Sequence, residues 1–289
     1  MTSTKNVVVS LLFSIIVLSY SVCALFVEPD VYTLAEKEPG IKLPVVMYHL
    51  ILDDEKRLGK FVISPDELER DMKYLKDNDF NPVVFSDLIN YTEKNIDLPP
   101  NPIMITFDDG YYNNYLFAYP VLKKYGFKAV LSIIGTESEK YSSSGEVSKY
   151  YSHVTFENMK EMSDVFEIQN HSYNLHEYSE NIKGAKKTSK ETSEVYVKRL
   201  YDDLLKCHNL IKDNTGITPC AFAFPFGSMS YDAHSVISDK MGYKGSLSCI
   251  EGINYITKDK QSLYKLKRYN RPSGIKSDEF FVKINAIQK

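Results

Sequence analysis

Between residues 43 and 224 the chain alternates short runs of almost unbroken apolar residues with longer stretches of helical periodicity. The runs are Leu43 to Tyr48, Pro102 to Phe107, Lys128 to Ile134, Phe166 to Asn170 and Cys220 to Phe224. A strand that is apolar on both sides of its pleat has no face for water, so it belongs in a sheet covered on both sides, the usual state of parallel strands. Helices with readable ends separate the runs. Ser64-Pro65-Asp66-Glu67 has the pattern of a capping box with proline in the first turn, and Leu68, Met72 and Leu75 follow on one face. A second helix leads to Tyr125 and stops at Gly126, and a third runs from about Lys190 to Asn214 with Val197, Leu200, Leu204, His208 and Ile211 near one stripe. A fourth ends at Met241 before Gly242. The alternation predicts an α/β fold, and one continuous series of units favours a single barrel-like domain. The polar stretch Ser138 to His153 and the segment Lys183 to Lys190 read as loops.

The 289 residues carry 35 basic and 38 acidic side chains, a net charge of −3, so no basic surplus exists to neutralise phosphates and nucleic acid is excluded as the main partner. With 22 Tyr and no Trp, any stacking surface for a ligand rests mainly on tyrosine. Val7 to Val27 is uncharged, with Lys5 before it and Glu28 and Asp30 after it, an orientation that leaves the rest of the chain outside the cell. Val22 and Ala24 suit signal-peptidase cleavage after Ala24, while the 21-residue run also suffices to span a bilayer if left uncut. Residues 1–27 are therefore expected to be a signal peptide or a membrane anchor, and 28–40 a linker. The protein is expected to be secreted or held on the outer face of the membrane; its oligomeric state is left open. Cys207, Cys220 and Cys249 form no metal-binding spacing and read as small buried residues, with one disulfide open to them.

Four polar groups follow apolar runs directly. Thr106-Phe107-Asp108-Asp109-Gly110 places two carboxylates side by side, a costly arrangement unless a cation or a proton neutralises one, although Asp-Gly is also a common turn. His171 and His176 stand five apart in Asn170-His171-Ser172-Tyr173-Asn174-Leu175-His176. Together with Asp109 they offer two nitrogens and one oxygen, a set that suits Zn²⁺ and leaves a position open for water, whose pKa falls towards ~7 at such a site. Phe222 to Gly227 runs into a Pro/Gly turn able to present a backbone N–H to a developing oxyanion, and Met47-Tyr48-His49 ends the first run. In an α/β barrel all four strand ends gather at one face, where active sites are built.

These residues resemble the motifs of the polysaccharide deacetylase family, the metal-dependent carbohydrate esterases of family 4, over roughly Leu43 to Pro272. The resemblance implies a distorted (β/α) barrel, usually of seven strands, forming a single catalytic domain over residues 41–289. It also implies removal of acetyl groups from an acetylated amino-sugar glycan. One divalent ion, Zn²⁺ before Co²⁺, Ni²⁺ or Fe²⁺, would be held by Asp109, His171 and His176. Asp108 would be the general base, and Phe226 and Tyr112 would face the oxyanion and substrate. The sequence departs from the wider family in three ways: the histidines are spaced five rather than four apart, Cys220 stands where an arginine is common, and no His follows His234 to act as acid. The subgroup similar to exported poly-β-1,6-N-acetylglucosamine deacetylases shares the wider spacing and takes its acid from an early Tyr-His, which corresponds to His49. Arg268 and Arg271 are the candidates to replace the absent arginine beside Asp108, against the alternative that both are surface charges.

The leading expectation is hydrolysis of N-acetyl groups on an extracellular N-acetylglucosamine polymer. Rival readings are an O-acetyl esterase on the same site, a glycan-binding module without activity, and a non-haem iron oxygenase using the same two His and one carboxylate. Asp108 counts against the oxygenase, since an oxygen-activating iron has no use for it.

Overall fold

The computed structural model describes residues 40–179 and 182–285. The expected export segment and nearly all of the expected linker lie outside the described residues. Among the described residues no helix is long and apolar enough to cross a membrane.

Seven strands form one parallel sheet: β1 (Val45–Tyr48), β2 (Pro102–Phe107), β3 (Ala129–Ile133), β4 (Phe166–Asn170), β5 (Ala221–Ala223), β6 (Gly245–Leu247) and β7 (Tyr269–Asn270). Their order is β6-β5-β4-β3-β2-β1-β7, with every neighbouring pair parallel, and the two-residue strand Asn81–Pro82 joins the start of β2. The ends of this path meet through one parallel bridge between Leu247 and Leu266, supported by Leu266 N–H to Ser246 O at 2.8 Å and Ser248 N–H to Leu266 O at 2.9 Å. The sheet is thus curled into a distorted seven-stranded barrel.

Alternation along the strands decides what lies inside. On β2, Ile103, Ile105 and Phe107 join the cluster beneath α1 (Pro65–Asp77), while Met104 belongs to a second cluster with Val45, Val130, Ala223 and Leu247. Phe85 and Leu88 of α2 (Phe85–Lys94) pack into that second cluster. The start of α2 is fixed by the Glu167 carboxylate on β4, which accepts from Phe85 N–H and Ser86 N–H at 3.0 Å each. Burying each large apolar side chain contributes about 1.5–3 kcal/mol.

The helices end where the local sequence requires. Ser64 Oγ accepts from Glu67 N–H at 3.1 Å and the Glu67 carboxylate accepts from Ser64 N–H at 2.9 Å, closing the capping box of α1. After α3 (Tyr119–Tyr125) come α4 (Gly135–Ser144), α5 (Phe156–Glu161) and α6 (Ser193–Thr215). The buried stripe of α6 is Tyr196, Leu200, Leu204, Cys207 and Ile211, so Val197 and His208 lie at its margin rather than in it.

Three expectations need correction. The run Leu43 to Tyr48 is not one strand: Pro44 lacks an N–H, and Ile41–Leu43 instead pairs antiparallel with Asn254–Ile256. The start of the stretch expected to be a loop, Ser138 to His153, is helical, because Ser138 and Tyr141 are three apart on one face of α4 and both are buried. Finally, Cys207, Cys220 and Cys249 are free thiols, so no disulfide joins them.

Candidate active site

The C-terminal ends of the strands share one mouth, and the residues following β1, β2, β4, β5 and β6 line a single cavity of about 510 Å³. Asp109 Oδ1 lies 3.3 Å from His171 Nε2 and 3.1 Å from His176 Nε2, and the candidate ligand atoms of the three residues are all within 4.8 Å of one another. Asp109 Oδ1 is buried and has no hydrogen-bond partner despite these short contacts. His171 Nδ1 is 2.8 Å from the carbonyl of Ala223, which can only accept, so Nδ1 carries a proton and, in the neutral ring, Nε2 is left with its lone pair towards Asp109. A buried carboxylate oxygen facing two ring nitrogens needs positive charge between them, from a proton on a ring or from a bound cation, and this donor set fits a divalent metal ion.

The strand ends are bent to make this convergence. Asp109, Ser172 and Phe226 all adopt positive φ, at 70°, 85° and 55°. Such backbone is costly for residues other than glycine and concentrates at functional sites. Beyond Asp109, Gly110 has φ 73° and lies so close to Ile133 that a Cβ would meet its Cγ2 at 2.8 Å. The loop carrying both histidines is tied to α6, where the Asp203 carboxylate accepts from Tyr173 N–H at 2.8 Å and Asn174 N–H at 2.9 Å. Asn170 Oδ1 accepts from Ser172 N–H at 2.8 Å. These bonds turn the chain so that residues five apart bring both rings to Asp109.

Asp108 faces a different partner. Its two oxygens accept from Arg268 at 2.8 and 2.7 Å in a bidentate pair, with both side chains almost wholly buried. Arg268 also donates to Ser248 O at 2.7 Å and Thr106 Oγ1 at 3.2 Å. Burial pushes the Asp108 carboxyl up, but the guanidinium outweighs it and holds the group below its ordinary value. Asp109 is held well below the usual range, its burial outweighed by the two imidazoles. Burial draws His171 down, yet Asp108 and Asp109 together leave it raised. For His49 burial prevails over the pull of both aspartates, so its pKa is lowered and the ring is neutral near pH 7. Its Nδ1 is buried without a partner, and its ring meets Phe61 edge-on at 4.9 Å.

Of the residues expected at the site, Asp108, Asp109, His171, His176, His49, Phe226 and Arg268 all line the cavity. Phe226 occupies the turn after β5, with its ring 4.4 Å from that of His176. Two expectations are corrected. Arg271 does not reach Asp108: its Nε and Nη2 donate to Asp71 of α1 at 2.9 Å each, alongside Tyr48 Oη at 2.9 Å, because Arg268 and Arg271 stand three positions apart across β7, an odd offset that sends their side chains to opposite faces of an extended chain. Tyr112 is outside the cavity, with its ring 5.8 Å from Tyr115, while Tyr111 is the tyrosine that faces Asp109. The Tyr111 hydroxyl is pushed up by burial and by its contact with that carboxylate. The sequence offered Tyr111 and Tyr112 side by side, and only the turn at Gly110 decides between them. Phe61, Tyr178, Cys249 and Glu251 also line the wall without any motif to mark them in the sequence.

Comparison with known proteins points to one family. A family model described as polysaccharide deacetylase matches residues 95–246, a little over half of the chain. YxkH of Bacillus subtilis strain 168, named for the same family, is 28% identical over 263 residues, spanning 90% of this chain and 82% of that protein. A poly-β-1,6-N-acetyl-D-glucosamine N-deacetylase of Staphylococcus aureus is 28% identical over 200 residues, 68% of this chain and 64% of that protein. The solved structure of a de-N-acetylase from Aggregatibacter actinomycetemcomitans superposes with a TM-score of 0.70 at 24% identity, covering 85% of this chain and 99% of that one, a likeness of fold.

Proposed function

The chain belongs to the polysaccharide deacetylase family, hydrolases of non-peptide carbon–nitrogen bonds, and on that premise we propose that it removes N-acetyl groups from an extracellular N-acetylglucosamine polymer. One observation carries the reading: the Asp109, His171 and His176 cluster shares its cavity with a second carboxylate, Asp108, held by a buried arginine. The uncharged run Val7 to Val27 supports export, with the N-terminal segment either removed or retained as an anchor.

Asp109, His171 and His176 would hold the ion, most simply Zn²⁺. When bound, it supplies Lewis acidity that polarises the acetyl oxygen and lowers the pKa of water. Asp108 takes the proton of the attacking water, and its pairing with Arg268 keeps it ionised and aimed. The Phe226 N–H, in the Pro225–Gly227 turn, would donate to the developing oxyanion. His49 protonates the leaving nitrogen, because an amine anion is too poor a leaving group to depart unaided. Neutral in the resting site, His49 would take up the proton that Asp108 removes from the water and pass it to the leaving nitrogen, and both aspartates raise its affinity for it.

The test is acetate release from N-acetylated and O-acetylated oligosaccharides by chelated protein and by protein reloaded with Zn²⁺, Co²⁺, Ni²⁺ or Fe²⁺. Release from the N-acetylated substrate that disappears on chelation and returns with metal is the expected result. Release from the O-acetylated substrate alone would make the protein an esterase, and glycan binding without any release would make it a binding module.

A further inference from the structure

We propose that the polymer preferred by this pocket carries acidic groups, carboxylate or phosphate, on the sugars adjoining the N-acetylated one; this deepens the deacetylase reading and rests on it. The mouth holds two aromatic platforms, each with a lysine over it. Phe61 is 45% exposed beside His49, and Lys60 Nζ lies 5.1 Å from its ring centroid. Tyr178 is 68% exposed and meets Phe226 edge-on at 5.7 Å, with Lys183 Nζ 5.6 Å from its ring centroid. The first platform follows β1 and the second follows β4, three positions apart in the strand order, and both line the cavity that holds Asp109, His171 and His176.

An exposed aromatic face takes the C–H face of a sugar ring, and stacking asks for no charge. A cation poised at that face on both sides adds what a neutral polymer cannot use. Neither Lys60 nor Lys183 forms an ion pair among the described residues, whereas the other ionic groups of the wall are mostly committed: Arg268 to Asp108, and Asp109 to the histidines. Glu251, in the loop after β6, is the remaining carboxylate, on a third wall. Cations and carboxylates along the wall cancel in number, so a divalent ion makes the pocket cationic overall. A glycan with an acid on each side of its target sugar would meet one lysine at each platform.

The experiment compares three forms of one backbone: chitin pentasaccharide, the same oligosaccharide oxidised to carboxylate at flanking C6 positions, and the same oligosaccharide phosphorylated there. Neutral poly-β-1,6-N-acetylglucosamine is run alongside, all with metal-loaded full-length protein and acetate release as the readout. Each lysine is expected to raise kcat/KM for the better acid by about threefold, close to tenfold together, with the gain fading at high salt. In the Lys60→Gln, Lys183→Gln double variant the ratio of acidic to neutral rates should return to about one. The two acidic forms tell a uronate-like polymer from a phosphate-bridged one. If neither acid exceeds the neutral parent while any neutral glycan is hydrolysed, this inference is overturned and the deacetylase reading stands. If no acetylated glycan yields acetate with any metal, the deacetylase reading itself falls.

Discussion

At Asp109 the backbone accepts a φ of 70°, and the carboxylate oxygen it presents is buried without a hydrogen bond. Neither feature benefits folding, since each costs about 1–3 kcal/mol, and both are accounted for if the residue is shaped to hold an ion. Asp108, one residue earlier, is instead fully paired with Arg268. On the proposed mechanism, adjacent residues of the same type divide the work, one for the metal and one for the proton. His49 lies outside the triad, so His49→Ala should leave metal content near wild type while lowering kcat by roughly 100- to 10,000-fold. His171→Ala should lose both. Arg268→Ala removes one member of a buried ion pair and should cost about 3–5 kcal/mol of stability, read as a fall in the denaturation midpoint, as well as activity. Full activity in His49→Ala would remove it from the mechanism.

At the scale of elements, the site is a set of strand ends braced by the helices behind them. The loop bearing His171 and His176 is held by Asp203 on α6, while His171 is held separately by the carbonyl of Ala223 on β5. Asp203→Ala should therefore loosen His176 more than His171 and weaken metal affinity by about 10- to 100-fold, measured by competition with a chelator. Long elements were legible in the sequence because their patterns repeat: β2 and β4 begin and end where their apolar runs do, and α6 shows several turns of one stripe. β6 and β7 were not, being three and two residues long, with Gly245, Ser246, Tyr269 and Asn270 giving no apolar run. Their membership of the sheet is decided by neighbours distant in the chain, as is the placement of Arg268 just before β7. α4 was missed for a related reason: its serines favour turns, and only the burial of Ser138 and Tyr141 against the rest of the fold makes it helical.

For the molecule as a whole, the C-terminal segment fastens the barrel. Arg271 pairs with Asp71, and the Glu67 carboxylate accepts from Ser64 N–H, Ser273 Oγ and Gly274 N–H at 2.8–2.9 Å. Burial pushes Glu67 up, but these hydrogen bonds outweigh it and leave its pKa lowered. A carboxyl with a lowered folded pKa stabilises fully above its ordinary value of 4.5 and loses that contribution as pH falls through the folded value. Urea denaturation should thus find Glu67→Gln less stable than wild type at pH 7, with the gap closing below pH ~4. A gap that widens in acid would contradict this sign. The site motifs were readable because each follows an apolar run, yet a run of residues could not say which of Tyr111 and Tyr112, or of Arg268 and Arg271, turns inward.

The central claim is that three side chains from separate parts of the chain hold one ion on which hydrolysis depends. Metal content per chain, measured together with acetate release for wild type and Asp109→Ala, tests it most directly. One equivalent bound by wild type, with both binding and acetate release lost in the variant, is the result expected. Undiminished acetate release from wild type after exhaustive chelation, or an unchanged equivalent of metal in Asp109→Ala, would contradict it.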